Sequence, residues 1–198
     1  MRTHNPEREE RIKAEIVAAA KRVFQAYGME KTTMDDIAKA AGKGTSSLYY
    51  YFKNKDDVFY AVVQSEFDGI YGTINRVLAK CKTAPEKLRA LLLTRYDEFK
   101  KRAYQYSSLV SEIPKFGIPE RLQDISRASE IEILRTILQE GVEKGEFRHL
   151  KKKEIDSIVM SIMLFWRSLA ADMAISREFP PDTLNIAVVV GALVRGLE

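Results

Sequence analysis

Apolar residues return every third or fourth position along most of the chain, and no run alternates long enough to make a strand. The pattern predicts an all-α protein. Ile12, Ile16, Ala19, Ala20, Val23, Phe24 and Tyr27 form one stripe, opened by Asn5-Pro6 and closed by Gly28. From Lys55 a longer stripe runs through Val58, Phe59, Val62, Val63, Phe67, Ile70, Tyr71, Ile74, Val77, Leu78 and Cys81, which predicts a helix about 40 Å long. Gly69 and Gly72 are placed to bend it near a domain boundary. Thr83-Ala84-Pro85 opens the next helix, with Leu88, Leu92, Tyr96, Phe99, Ala103, Tyr106, Val110 and Ile113 as its stripe. Pro114, Gly117 and Pro119 interrupt the chain before a further helix that ends at Gly145-Glu146-Phe147.

The last two helices read differently. Ile158, Val159, Met160, Ile162, Met163, Leu164, Phe165 and Trp166 leave no polar face, so that helix must be covered on more than one side. Its own core accounts for one side and a second copy of the chain for the other. Thr183–Leu197 repeats the theme with Leu184, Ala187, Val188, Val190, Gly191 and Val194. The expectation is a homodimer meeting through Ile158, Ile162, Phe165, Leu184, Val190 and Val194. The alternative is that both are plain core helices of a monomer.

Residues 32–55, TTMDDIAKAAGKGTSSLYYYFKNK, carry the densest signal. Thr33 caps a short helix and Asp36 reaches back to it. Ile37, Ala38 and Ala41 give that helix a small apolar face, and Gly42 ends it. A second helix starts at Gly44 or Thr45 and runs to Phe52, pinned by Leu48 and Phe52. This is a helix-turn-helix layout, spanning residues 32–52. Thr45, Ser46, Tyr49 and Tyr50 share the outer side, where hydroxyls suit phosphate oxygens or base edges and rings suit sugars and thymine methyls. Between Ile37 and Lys55 the charged residues are Lys39, Lys43, Lys53 and Lys55, without an acid. Lys55 at the head of the next helix is placed to share a phosphate with free backbone N–H groups. The expected DNA-contact set is Thr33, Lys43, Thr45, Ser46, Ser47, Tyr49, Tyr50, Lys53 and Lys55. The alternative is a small helical subdomain with a solvated lysine face.

The same stretch resembles the N-terminal domain of TetR-family transcriptional regulators, whose usual pattern runs TT..DIA..AGVSKGTLY.YF..K..L. Thr32-Thr33, Asp36-Ile37-Ala38, Ala41-Gly42, Leu48-Tyr49, Tyr51-Phe52, Lys55 and Val58 stand in matching order. The departure is the turn, where Lys43-Gly44-Thr45-Ser46-Ser47 replaces VSKGT. The resemblance implies a three-helix DNA-binding domain at residues 6–69, joined by a long helix to a larger helical domain at 70–198 for effector binding and dimerisation. It further implies a homodimeric repressor that reads double-stranded DNA at a palindromic operator and is released by a small ligand. A constitutive or architectural DNA binder without an effector is the alternative.

Composition narrows the chemistry. The 198 residues carry a formal net charge of +4, yet up to Gly69 acids and bases balance, so DNA binding rests on where charge sits. Cys81 is the one cysteine, which suits a reducing cytoplasm. No apolar run reaches the roughly 20 residues of a membrane span, and the N-terminus has no apolar core for a secretion signal. His4 and His149 are the only histidines, and no phosphate loop, HExxH or CxxC occurs, so neither an enzyme nor a metal or cofactor is expected. Tyr96, Phe99, Tyr106, Phe116, Met163 and Trp166 are the candidates to line an apolar effector cavity, with simple core packing as the alternative.

Overall fold

The computed structural model describes residues 5–105, 120–175 and 185–198. Their regular structure is helical: α1 Pro6–Lys31, α2 Met34–Ala40, α3 Thr45–Tyr51, α4 Lys55–Leu78, α5 Ala84–Gln105, α6 Glu120–Glu143, a 3-10 turn Lys152–Glu154, α7 Ile155–Ile175 and α8 Ile186–Leu197. Contacts divide the described residues into two compact units, with the division in α4 falling between Asp68 and Gly69. No helix among the described residues is long and apolar enough to cross a membrane.

The first unit is built on α1. Its cap is Asn5, whose side chain accepts from the Arg8 N–H at 3.3 Å, followed by Pro6. Ile16, Ala20 and Phe24 are buried against Ile37, Ala38, Leu48, Phe52, Val58, Phe59 and Val62. The Phe24 and Phe59 rings meet edge-on at 5.8 Å. Tyr27, expected on this stripe, is instead 64 % exposed. Gly28 interrupts the helix with φ 76° and ψ 176°, and Met29–Lys31 follow as a further turn. An L-residue is strained there, which is why glycine stands at that corner.

The second unit packs parts of α4–α8 around Leu88, Leu91, Leu134, Leu138, Phe147, Val159 and Val194, all nearly inaccessible. Thr83 and Glu86 cap α5 reciprocally: the Glu86 N–H donates to the Thr83 hydroxyl at 3.3 Å and the Thr83 N–H to the Glu86 carboxylate at 3.2 Å. Gly145, with φ 68°, turns the chain after α6 so that Phe147 folds back onto Gly141, where a Cβ would stand 2.1 Å from the ring. Arg95 Nε lies 2.8 Å from Glu130 Oε1, and Glu130 is 5 % exposed. Burial pushes the Glu130 carboxyl up, with the Arg95 charge opposing.

The apolar helices turn out to have two sides. Val159, Ile162 and Trp166 of α7 and Ile186, Val190 and Val194 of α8 are buried within their own chain. Met160, Leu164, Phe165, Val188 and Val189 are exposed. Ile162, Val190 and Val194, expected to meet a second copy, are therefore core residues of the protomer. Phe165 keeps an outward position, Ile158 is half-buried, and Leu184 lies outside the described residues.

Gly28→Ala is expected to destabilise the protein by about 1–3 kcal/mol, the cost of forcing a Cβ into that backbone region. A thermal melt of the variant checks this, and an unchanged midpoint would contradict the strained corner.

Candidate nucleic-acid interface

α3 has seven residues, too few to be stable alone, so its neighbours must hold it. Leu48 is fully buried beneath it and Phe52 nearly so. α2 ends in a Schellman turn: Lys43 N–H donates to Ala38 O at 3.0 Å and Gly42 N–H to Lys39 O at 3.1 Å, with Gly42 at φ 63°. Three polar contacts then fix the pair. The Thr45 hydroxyl donates to Asp35 Oδ1 at 2.7 Å, joining the starts of α3 and α2. Lys43 Nζ donates to Glu15 Oε2 at 2.9 Å, tying the turn to α1. The Thr33 hydroxyl donates to Asp36 Oδ2 at 2.6 Å, within a capping box that also pairs the Thr33 and Asp36 backbone N–H groups with the opposite side chains.

The outer face of α3 consists of what these contacts leave over. Ser46, Ser47, Tyr49 and Tyr50 are exposed, the two rings by 51 % and 71 %. Lys53 is exposed at the C-terminal side, as is Lys39 in the last turn of α2. Within Thr45–Tyr51 there is no charged residue.

Four of the expected contact residues are engaged within the chain: Thr33, Lys43, Thr45 and Lys55. Lys55 departs furthest from the expectation. Its ammonium donates to the carbonyls of Met29 at 2.6 Å, Thr32 at 2.9 Å and, at the limit of bonding distance, Glu30 at 3.5 Å, instead of standing open for a phosphate. The acids that answer Lys43 and Thr45 enter from outside the acid-free window. Their separations of 28 and 10 residues hid them from a local reading. Lys43 holds the Glu15 carboxyl below its usual range, first by its hydrogen bond and then by its charge. Thr33 does the same for Asp36 through its hydroxyl and backbone N–H.

Of the residues expected to line an effector cavity, Tyr96 and Trp166 come together, their ring centroids 6.4 Å apart. Phe99 and Met163 are half-buried, and Tyr106 and Phe116 lie outside the described residues. Two open clefts of the second unit have other walls. One of about 750 Å³ is lined by residues including Arg89, Lys144 and Arg148, and one of about 360 Å³ by residues including Leu78, Ile133 and Ile137.

Residues 16–62, which contain most of α1, the helix pair and the start of α4, match the family "Bacterial regulatory proteins, tetR family". This stretch is a TetR-family DNA-binding segment. Among TetR-family and other regulators that the chain resembles is the transcriptional repressor KstR2 of Mycolicibacterium smegmatis, 29 % identical over 140 residues, a match covering 68 % of this chain and 66 % of that one. The fatty acid metabolism regulator protein of Bacillus subtilis is 26 % identical over 139 residues, covering 68 % and 70 %. These matches span about two thirds of the relatives' lengths. The fold is shared with a TetR/AcrR-family regulator from Thermobifida fusca at a TM-score of 0.66, 23 % identity and coverage of 93 % and 95 %. It is shared also with FadR of Bacillus subtilis, solved in complex with stearoyl-CoA, at a TM-score of 0.65, 18 % identity and coverage of 93 % and 96 %. These relatives are transcriptional regulators rather than enzymes.

The Thr33–Asp36 box gives a pH prediction. Because Thr33 lowers the Asp36 carboxyl on folding, the stabilisation is present above the unfolded value and is lost as pH falls through the folded one. Thr33→Val is therefore expected to melt below wild type at neutral pH, with the gap narrowing as pH drops below about 4. Melts from neutral to acid pH test it, and a gap independent of pH would assign the loss to something other than the capping carboxylate.

Proposed function

We propose that this chain is a homodimeric TetR-family repressor that reads a palindromic operator with α3 and leaves it when a small apolar effector binds the second unit. The observation that carries the DNA half is the outer face of α3: Leu48 is fully buried while Ser46, Ser47, Tyr49 and Tyr50 are exposed. Hydroxyls and aromatic edges offered on a short, fixed helix suit base edges and sugar–phosphate oxygens in a major groove. Lys53 and Lys39 supply phosphate contacts at either side.

The dimer rests on Met160, Leu164, Phe165, Val188 and Val189, large apolar side chains that α7 and α8 leave in water. Single exposed apolar residues need no explanation, but such a concentration on two helices suits a buried interface. The effector reading draws on the Tyr96–Trp166 pair and the buried Arg95–Glu130 pair, an apolar setting with few polar groups. KstR2 of Mycobacterium tuberculosis, of the same fold, is named a ketosteroid transcriptional regulator, the Bacillus subtilis relative is named for fatty acid metabolism, and FadR was solved with stearoyl-CoA, which favours an apolar or long-chain effector here. A constitutive binder would give the same DNA results without release by any ligand.

With a duplex selected from a randomised pool by the wild-type protein, Tyr49→Ala is expected to lose affinity on the order of tenfold while staying folded. Lys53→Ala should weaken binding to all duplexes and reduce the salt slope by about one. Wild-type affinity in both variants, measured by fluorescence anisotropy, would remove α3 as the reading helix.

For assembly, Val189→Asp is expected to give a folded monomer, because its position is exposed in the protomer. Val190→Asp should unfold the chain by burying an unpaired charge. Sedimentation of the two variants separates these outcomes, and a Val189→Asp protein with wild-type assembly would contradict this dimer face.

A further inference from the structure

The segment that carries α2 and α3 enters at Thr32 and leaves at Lys55, and one side chain joins the two ends. Lys55 Nζ reaches back 23 residues to the Thr32 carbonyl at 2.9 Å and takes the Met29 carbonyl at 2.6 Å, with Glu30 at 3.5 Å. We propose that Lys55 is a positioning residue for DNA reading: its ammonium clasps the entry and exit of the helix pair and so sets the pose of α3. This rests on the reading of α3 as the helix that meets DNA.

The chemistry on both sides of the clasp fits. An ammonium has three N–H donors and no acceptor, and three carbonyl oxygens face this one. The carbonyls belong to the last turn of α1 and the residue after it, where a helix carries the negative end of its dipole. The Gly28 corner separates this turn from the body of α1, and the Thr32 hydroxyl already donates to the Gly28 carbonyl at 2.6 Å. Thr32 is 2 % exposed, so water is poorly placed to replace a lost donor at its carbonyl. Joining residues 32 and 55 also removes freedom that the intervening segment would otherwise keep. Leu48 and Phe52 bury the helix pair whether or not the clasp is present. The clasp therefore governs the angle of α3 more than its existence.

The geometry also distinguishes lysine from arginine. Three oxygens converge on a single tetrahedral nitrogen, whereas a guanidinium spreads its donors over a flat fork. A phosphate contact would tolerate or favour arginine at this position; the clasp does not accommodate it.

The test uses the full chain with Lys55→Met and Lys55→Arg, a pool-selected duplex and a random-sequence duplex, and anisotropy titrations across a range of salt. Both variants are expected to lose tenfold or more on the selected duplex and less on the random one, with the salt slope unchanged. A slope reduced by about one in Lys55→Met, equal loss on both duplexes and retained binding by Lys55→Arg would identify a phosphate contact and overturn the clasp. Wild-type affinity at temperatures where the variants remain folded, with only the melting point lowered, would also overturn it. If Lys55→Met does not fold, Lys55→Arg decides by the same criteria. The Lys55 ammonium signal in NMR of the wild-type protein decides without any variant: it should stay hydrogen-bonded and unmoved when the selected duplex is added, and its transfer to phosphate would end the proposal. Tyr49→Ala run in parallel keeps the two ideas apart, since wild-type binding there removes α3 as the reading helix while the ammonium signal still judges the clasp.

Discussion

A helix of seven residues does not persist in water by itself, and the first unit is organised around that constraint. Nucleating α3 costs more backbone entropy than its few internal hydrogen bonds return, so stability has to come from tertiary contact. Leu48 and Phe52 supply the burial, against a floor made by α1, α2 and α4. The Schellman turn at Gly42 fixes where α2 stops, and the Thr45–Asp35 hydrogen bond fixes how α3 starts beside it. Because all this support comes from one side, the other side of α3 is left bare. An exposed, rigidly held set of hydroxyls and rings is a consequence of how the short helix is stabilised.

What could be seen in the sequence was mostly what acts over three or four residues. The Asn5-Pro6 start of α1, the Thr33–Asp36 capping box, the Gly28 and Gly42 corners and the core role of Leu48 all follow from local rules and all stand in the structure. What stayed hidden joins residues far apart. Lys43, Thr45 and Lys55 sit in a window free of acids; the lysines are expected to face DNA on that ground, and Thr45 for its hydroxyl on the outer side of the helix. In space the window is not free of partners: Glu15 arrives from α1, Asp35 from the start of α2, and the α1 carbonyls from below. Charge per stretch of sequence measures what is available, and only packing shows what has been used.

The apolar helices teach the same limit in another form. Hydrophobic content predicts how much surface α7 and α8 must cover, but when nearly every position is apolar the period no longer says which way each one points. The structure resolves it by steps of three and four. Val159, Ile162 and Trp166 face inward on α7, and Ile186, Val190, Val194 and Leu197 do so on α8. Met160, Leu164, Val188 and Val189 are displaced from those rows and remain in solvent. The polar markers on these helices are few, with Ser161 and Arg167 exposed on α7 and Arg195 on α8, and Val190 and Val194 lie on the inner row rather than the outer one that the sequence suggests.

The distribution of charge in the first unit has a consequence for how it can read DNA. Between Thr45 and Tyr51 no side chain is charged, and Lys43 and Lys55 beside them are held by other groups. Exposed cations therefore flank the helix, at Lys39 and Lys53, rather than lie on it. Phosphate attraction from the flanks sets register and responds to salt, while carrying no sequence information. Under the proposed reading of α3, discrimination falls to Ser46, Ser47, Tyr49 and Tyr50, which lack the bidentate donors that arginine and lysine present to guanine. Hydroxyls bond any base edge within reach, and rings pack well on thymine methyls. A recognition helix of this composition supports selectivity through shape and methyl contacts, and such selectivity tolerates little tilt. An angle held by fixed contacts at the base of the helix pair is what that mode of reading demands.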